Sequence, residues 1–180
     1  MLFRSFGGAS LFADSLNRKH FPAIVVFPQC GAGNNWGRYE RKDSTGKNPW
    51  SDLRFLSHQP PTATLSLVMQ LLDSLVNSGR VDPRRIYVGG LSMGGMGTFE
   101  IIWRKPGFFA AALPICGGGD PEKVALYAGR TKVWVFHGDA DPVVPVSNSR
   151  DMVEAYKKTG VAYRYSEYPG VQHDSWKNAF

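Results

Sequence analysis

The chain has 180 residues, 43% of them hydrophobic and 20% charged, with a formal net charge of +6. That length suits a single domain, residues 1–180, with a core of its own, and no apolar run approaches the ~20 residues of a membrane span. The positive charge is not gathered into a basic stripe: Arg80, Arg84 and Arg85 form the densest group and flank a strand, which argues against a nucleic-acid partner.

Residues 1–20 are mixed, break at Gly7-Gly8 and are the least determined segment. They lack the long apolar core of a signal peptide, so the expected location is cytoplasmic. Leu11 to Asn17 has room for one or two helical turns. Phe21-Pro22-Ala23-Ile24-Val25-Val26-Phe27-Pro28 reads as a buried strand bounded by prolines. A Gly-rich loop, Gln29 to Trp36, follows, and then a long polar stretch from Gly37 to Pro61 that contains Trp50. In Thr62 to Asn77, Leu65, Val68, Met69, Leu72, Leu75 and Val76 recur at helical spacing; Thr62 or Thr64 can cap it and Gly79 can stop it.

Ile86-Tyr87-Val88 is a short β-branched and aromatic strand, and Gly94 to Trp103 is an amphipathic helix. Between them stands Gly90-Leu91-Ser92-Met93-Gly94, a G-x-S-x-G pentapeptide. A serine on a tight strand-to-helix turn is pushed out of the backbone envelope, beside the free N–H groups of a helix N-terminus. Ala110 to Cys116 is the next buried strand, Pro121 to Tyr127 a short helix, and Lys132 to His137 a strand with an apolar centre. A helix from Val146 or Ser147 to Lys158 and a polar edge strand, Tyr163 to Tyr168, complete the pattern. The two cysteines, Cys30 and Cys116, each close an apolar run, as buried thiols do, and make no disulfide framework.

Strands alternating with helices predict an open, mostly parallel sheet of about five strands with helices on both faces. In such sheets the site lies at the carboxyl ends of the strands. Ser92, the loop His137 to Pro145 and the loop Gly170 to Trp176 all fall there, and they bring Ser, Asp and His in the chain order of a serine hydrolase on an α/β sheet. A serine hydroxyl is nearly un-ionised at neutral pH, so attack needs an imidazole to take its proton and a carboxylate to hold that imidazole in the right tautomer. His173 is the candidate base and Asp141 the candidate acid, with Asp139 as competitor; Asp139 is better suited to shaping the turn through backbone N–H groups. His137 supports the Asp loop, while His20 and His58 read as surface residues. No H-E-x-x-H, C-x-x-C or G-K-S/T spacing occurs, so neither a metal nor a nucleotide cofactor is expected.

The stretches Arg85 to Gly95, His137 to Pro145 and Gln172 to Trp176, with Phe27 to Cys30 and Pro114 to Asp120, resemble α/β-hydrolase fold serine esterases. They are most similar to the bacterial predicted-peptidase, phospholipase/carboxylesterase and dienelactone hydrolase-like group, in a form shortened at both ends. The resemblance implies a minimal α/β-hydrolase fold and hydrolysis of carboxylic esters without a cofactor. It also implies an earlier strand ending in His-Gly, whose loop supplies an oxyanion N–H; no His-Gly precedes Phe21 here. The expected oxyanion donors are therefore Met93, just after the nucleophile, and Gln29 or Cys30, provided the Ile24–Phe27 strand pairs directly with Ile86–Val88. Trp36, Trp50 and Trp176 are candidate walls of the substrate pocket, together with Tyr39. The exposed sheet edge favours a homodimer.

Two functions fit these residues. One is a serine carboxylesterase acting on short-chain or small aromatic carboxylic esters through an acyl-enzyme, with a small-molecule ester as its only required partner. The other is a non-catalytic binding or interaction protein on the same fold, with the oxyanion loop lost.

Overall fold

A computed structural model describes residues 8–41 and 53–180. Trp50 lies outside the described residues. The chain divides into two compact units, residues 1–34 and 35–180.

The first unit holds two short helices, α1 (Gly8–Ala13) and α2 (Ser15–His20). Asp14 caps α2: its Oδ1 accepts from the N–H groups of Leu16 at 2.9 Å and Asn17 at 3.0 Å. Arg18, Lys19 and His20 close the helix, where positive charge suits its negative end. The strand expected over Phe21–Pro28 does not form. The segment carries no ladder, and Ile24, Val25, Val26 and Phe27 are exposed. The physical reason is pairing: an apolar β-branched run becomes a strand only beside another, and the described part of this unit contains helices and coil alone. The ladders of the described residues do not include Ile24–Phe27, the strand on which the Gln29 or Cys30 oxyanion assignment was built.

The second unit opens with a small antiparallel ladder inside the stretch read as loop. Strand β1 (Tyr39–Arg41) pairs with β2 (Leu53–Phe55), Tyr39 opposite Phe55. Helix α3 (Ala63–Asn77) follows, capped by Thr62, whose hydroxyl accepts from the Leu65 N–H at 3.1 Å. Gly79 ends that region with a φ of +71°, a conformation only glycine adopts freely. Then come β3 (Tyr87–Leu91), α4 (Met93–Arg104), β4 (Ala111–Ile115), a 3₁₀ turn (Pro121–Lys123) running into α5 (Val124–Tyr127), β5 (Lys132–Gly138), α6 (Ser147–Thr159), β6 (Arg164–Tyr168) and α7 (Trp176–Ala179).

Strands β3 to β6 form one parallel sheet in the order β3-β4-β5-β6. It has four strands where about five were expected, because the Phe21–Pro28 run stays outside it. Val88 lies opposite Ala112, Ala112 opposite Val133, and Val135 opposite Tyr165, so these residues share one face. Helices α3 to α6 pack on that face through Leu65, Phe99, Ile102, Val124, Tyr127, Met152 and Tyr156. A fully buried side chain of this kind contributes roughly 1.5–3 kcal/mol relative to exposure. The helical cover is uneven. On the opposite face Tyr87 remains 61% and Trp134 37% exposed, and α7 reaches that face where the Tyr168 hydroxyl donates to Asn178 O. No helix among the described residues is long and apolar enough to cross a membrane.

Candidate active site

Ser92, Asp141 and His173 sit at the carboxyl end of the sheet, where the strands deliver them. At the end of β3 the chain turns sharply into α4, and Ser92 takes φ +56° and ψ −117°. The turn is closed by the Ser92 N–H donating to Ile115 O and by the Met96 N–H donating to Ser92 O. Space explains the pentapeptide: a Cβ on Gly90 would lie 2.3 Å from the backbone oxygen of Gly94. Ser92 stands at the helix N-cap position but makes no capping bond, which leaves its hydroxyl for another partner. Met93 opens α4, so its N–H is among the first-turn amides without an intrahelical acceptor.

That partner is His173. Its Nε2 lies 3.0 Å from Ser92 Oγ, and its Nδ1 lies 2.7 Å from Asp141 Oδ2. A carboxylate only accepts, so Nδ1 carries the ring proton and Nε2 presents its lone pair to the serine hydroxyl. The edge of Trp176 meets the His173 ring at 5.7 Å and 86°, which fixes the ring plane. The loop carrying His173 crosses directly over Gly138, where a Cβ would fall 2.1 Å from Val171 O.

Asp141 is held on all sides. Its Oδ1 accepts from the N–H groups of Val143 at 2.8 Å and Val144 at 2.9 Å, and its side chain is fully buried. Burial alone would raise its pKa, but hydrogen bonds from His137, His173 and the Val143 N–H outweigh it and keep the carboxyl far below the usual carboxylate range. It therefore stays ionised. The competitor, Asp139, accepts from the Gly170 N–H at 2.7 Å and shapes the turn, as its position suggested. Asp174 accepts from Lys177 Nζ at 2.7 Å.

His137 is more involved than a strand end implies. It is completely buried; its Nε2 lies 2.9 Å from Val144 O and 3.2 Å from Asp141 Oδ2. Its Nδ1 lies 2.7 Å from the Ser149 hydroxyl, which donates to Gly117 O at 3.0 Å. One buried chain thus ties the loops after β4 and β5 to α6. Ser149 was missed from the sequence, and its only signal there is a polar residue on the buried face of α6.

Cys116 completes the inner layer. It is fully buried with a φ of +40°, and burial pushes its thiol up to about 12. Trp36 is 5% exposed and packs against Gly97 of α4, where a Cβ would lie 2.5 Å from the Trp36 Cβ. Trp176 is 7% exposed and sits behind His173. Gln29 and Cys30 belong to the first unit, Ser92, Asp141 and His173 to the second.

Such an arrangement can transfer a proton from a hydroxyl to an imidazole and hold the resulting charge. Several known proteins are similar to this chain in sequence or fold. The phospholipase/carboxylesterase family matches residues 48–180. The crystal structure of a thermostable esterase superposes with a TM-score of 0.79 at 36% identity, over 96% of this chain and 45% of that one. Poly(3-hydroxyalkanoate) depolymerase C of Paucimonas lemoignei is 26% identical over 163 residues, 73% of this chain and 36% of its own. Acyl-protein thioesterase 1 of Gibberella zeae is 28% identical over 112 residues, 58% of this chain and 47% of its own. The chain therefore spans less than half the length of each of these relatives. On the match that covers residues 48–180, the chain belongs to the phospholipase/carboxylesterase family of α/β-hydrolase fold proteins.

Proposed function

We propose that the chain is a serine carboxylesterase in which Ser92 is the nucleophile, His173 the general base and Asp141 the residue that orients and balances His173. The observation that carries this reading is the unbroken line from Ser92 Oγ through His173 Nε2, 3.0 Å away, and Nδ1 to Asp141 Oδ2, a further 2.7 Å. As Oγ attacks the ester carbonyl, its proton passes to Nε2, and Asp141 stabilises the imidazolium without taking a proton itself. The Met93 N–H stabilises the oxyanion from the helix N-terminus. The imidazolium then protonates the departing alcohol and leaves an acyl-serine. Water, deprotonated by the same nitrogen, releases the acid and restores the hydroxyl.

Short-chain and small aromatic carboxylic esters are the substrate class. No long insertion between the elements of residues 53–180 provides a lid for a long acyl chain. The names of the relatives, a depolymerase of a hydroxyalkanoate polyester and an acyl-protein thioesterase, both describe cleavage at an acyl carbonyl. Hydrolysis of p-nitrophenyl acetate or butyrate by the purified chain tests the proposal. Turnover lost on Ser92→Ala is the expected result, and turnover that survives Ser92→Ala sinks it.

A further inference from the structure

The ester chemistry gives Cys116 no task, yet its side chain faces the centre of the site. One ligand atom from each of Cys116, Asp141 and His173 lies within 4.8 Å of the other two. Sulfur, carboxylate oxygen and imidazole nitrogen are the three donor types that zinc accepts. The sulfur already has supporting donors around it. Burial holds the thiol neutral and outweighs the Ser92 N–H and the Ser175 hydroxyl, the two groups beside it that favour its ionised form. Ser175 Oγ is completely buried beside the thiol and has no nitrogen or oxygen partner among the described residues. A neutral thiol is a weak acceptor, so the hydroxyl gains little from it. A metal-bound thiolate would satisfy it, and outer donors of this kind orient metal ligands.

We propose that Cys116, Asp141 and His173 form a site for a thiophilic divalent cation of the zinc class, and that occupation switches the hydrolase off. The switch rests on His173 being the base; the binding does not. The cation bonds to the Cys116 sulfur, one Asp141 oxygen and one His173 nitrogen, with a fourth position for water. The Cys116 S–H bond breaks and its proton passes to solvent. If Nδ1 binds the cation, the ring proton moves through solvent to Nε2, which then has no lone pair for Ser92. If Nε2 binds, its lone pair is on the metal. Either way Ser92 loses its base. Mg²⁺ and Ca²⁺, which take oxygen ligands, do not compete for a sulfur and nitrogen donor set.

Binding is read first without catalysis. Ser92→Ala keeps the backbone N–H at that position and is titrated with Co²⁺ while thiolate-to-cobalt charge-transfer absorbance is followed. The expected result is a band that saturates at one equivalent, falls on addition of Zn²⁺ and is absent when Cys116→Ser is added to Ser92→Ala. Inhibition is then read on the unmodified chain with a p-nitrophenyl ester. Zn²⁺ should inhibit, a chelator should restore the rate, and Mg²⁺ should do nothing. The quantity compared is the Zn²⁺ concentration that halves each protein's own rate. Cys116→Ser should raise it by at least about tenfold, the lower bound for losing even an outer-shell partner. Cys116→Gly, suited to the φ of +40°, serves where Cys116→Ser does not fold. No thiolate band in Ser92→Ala overturns the site. A band without zinc inhibition of an active enzyme overturns the switch, and equal zinc sensitivity with and without Cys116 overturns its role as ligand. A saturating band in a chain without esterase activity upholds the site and defeats the functional reading instead.

Discussion

His137 and Asp141 stand one helical turn apart in sequence and meet inside the protein, Nε2 to Oδ2 at 3.2 Å. His173 Nδ1 approaches the same oxygen at 2.7 Å, so two imidazoles share one carboxylate oxygen while two amides hold the other. His137 is thus a positioning residue. Replacing it leaves Val144 O, the Ser149 hydroxyl and part of Asp141 buried with fewer partners, at about 1–3 kcal/mol for each group left unsatisfied. His137→Asn is expected to lower the melting temperature and to cut kcat by about 10²-fold with little change in KM, the scale of a ~1 Å misplacement. Steady-state kinetics and a thermal melt on the same sample check both parts. Unchanged kcat in a folded variant would show that Asp141 needs no second imidazole.

The three members of the proposed triad should fail together. Ser92→Ala and His173→Ala should each reduce kcat by on the order of 10⁴–10⁶, and Asp141→Asn by about 10⁴ because it stabilises the wrong tautomer. Asp139→Asn should cost far less, since an amide oxygen can still accept from the Gly170 N–H. A rate table in which Asp139→Asn is the severe change would reverse the assignment of the acid.

Acid stability follows from two carboxyls with depressed pKa values. Arg150 donates to Glu167 through Nε at 3.0 Å and Nη2 at 2.6 Å, and this pairing outweighs burial and holds Glu167 at about 2. An unfolded Glu titrates near ~4.3. The sign is therefore fixed: the contribution of the pair is complete above about pH 4.3 and is lost as pH falls through about 2. Asp141 shifts in the same direction and adds to the same acid limb. The gap in melting temperature between the unmodified chain and Glu167→Gln should be constant near neutrality and close towards about pH 2. A gap that widens on acidification would contradict the linkage.

Gly138 offers a steric test. Its missing Cβ would collide with the carbonyl oxygens of Val171 at 2.1 Å and Gln172 at 2.5 Å, both of them backbone atoms. Gly138→Ala must push away the loop that holds His173, and overpacking of this kind costs about 1–3 kcal/mol or more. Gly37→Ala, whose new methyl would meet Tyr39 at an ordinary 3.5 Å, is the matched control. The first should lose both stability and activity, the second neither, as judged by melts and ester hydrolysis.

The parts of this architecture that could be read from the residues are those encoded locally. Helix α3 shows its face through Leu65, Val68, Met69 and Leu72, and strand β5 shows its interior through Val133 and Val135. The order Ser92, Asp141, His173 survives because each residue follows a strand whose carboxyl end must point the same way. What failed depends on partners. Phe21–Pro28 has the composition of a strand but joins no ladder among the described residues. Strands β1 and β2 are three residues each, too short for any periodicity to register. The meeting of Cys116 with Asp141 and His173 joins three distant segments, and no spacing rule for metal ligands encodes it.

Ser92 holds a φ of +56° that no β-substituted residue prefers. Strain of that kind costs on the order of 1–3 kcal/mol and survives because the surroundings over-determine it. Glycine would relax it and remove the hydroxyl at the same time. Selection for heat resistance alone would therefore drive position 92 towards glycine, and only selection for turnover would keep the serine. Folding and the proposed chemistry pull in opposite directions at this one backbone angle, so a thermostability screen run without an activity screen would erase the proposed nucleophile.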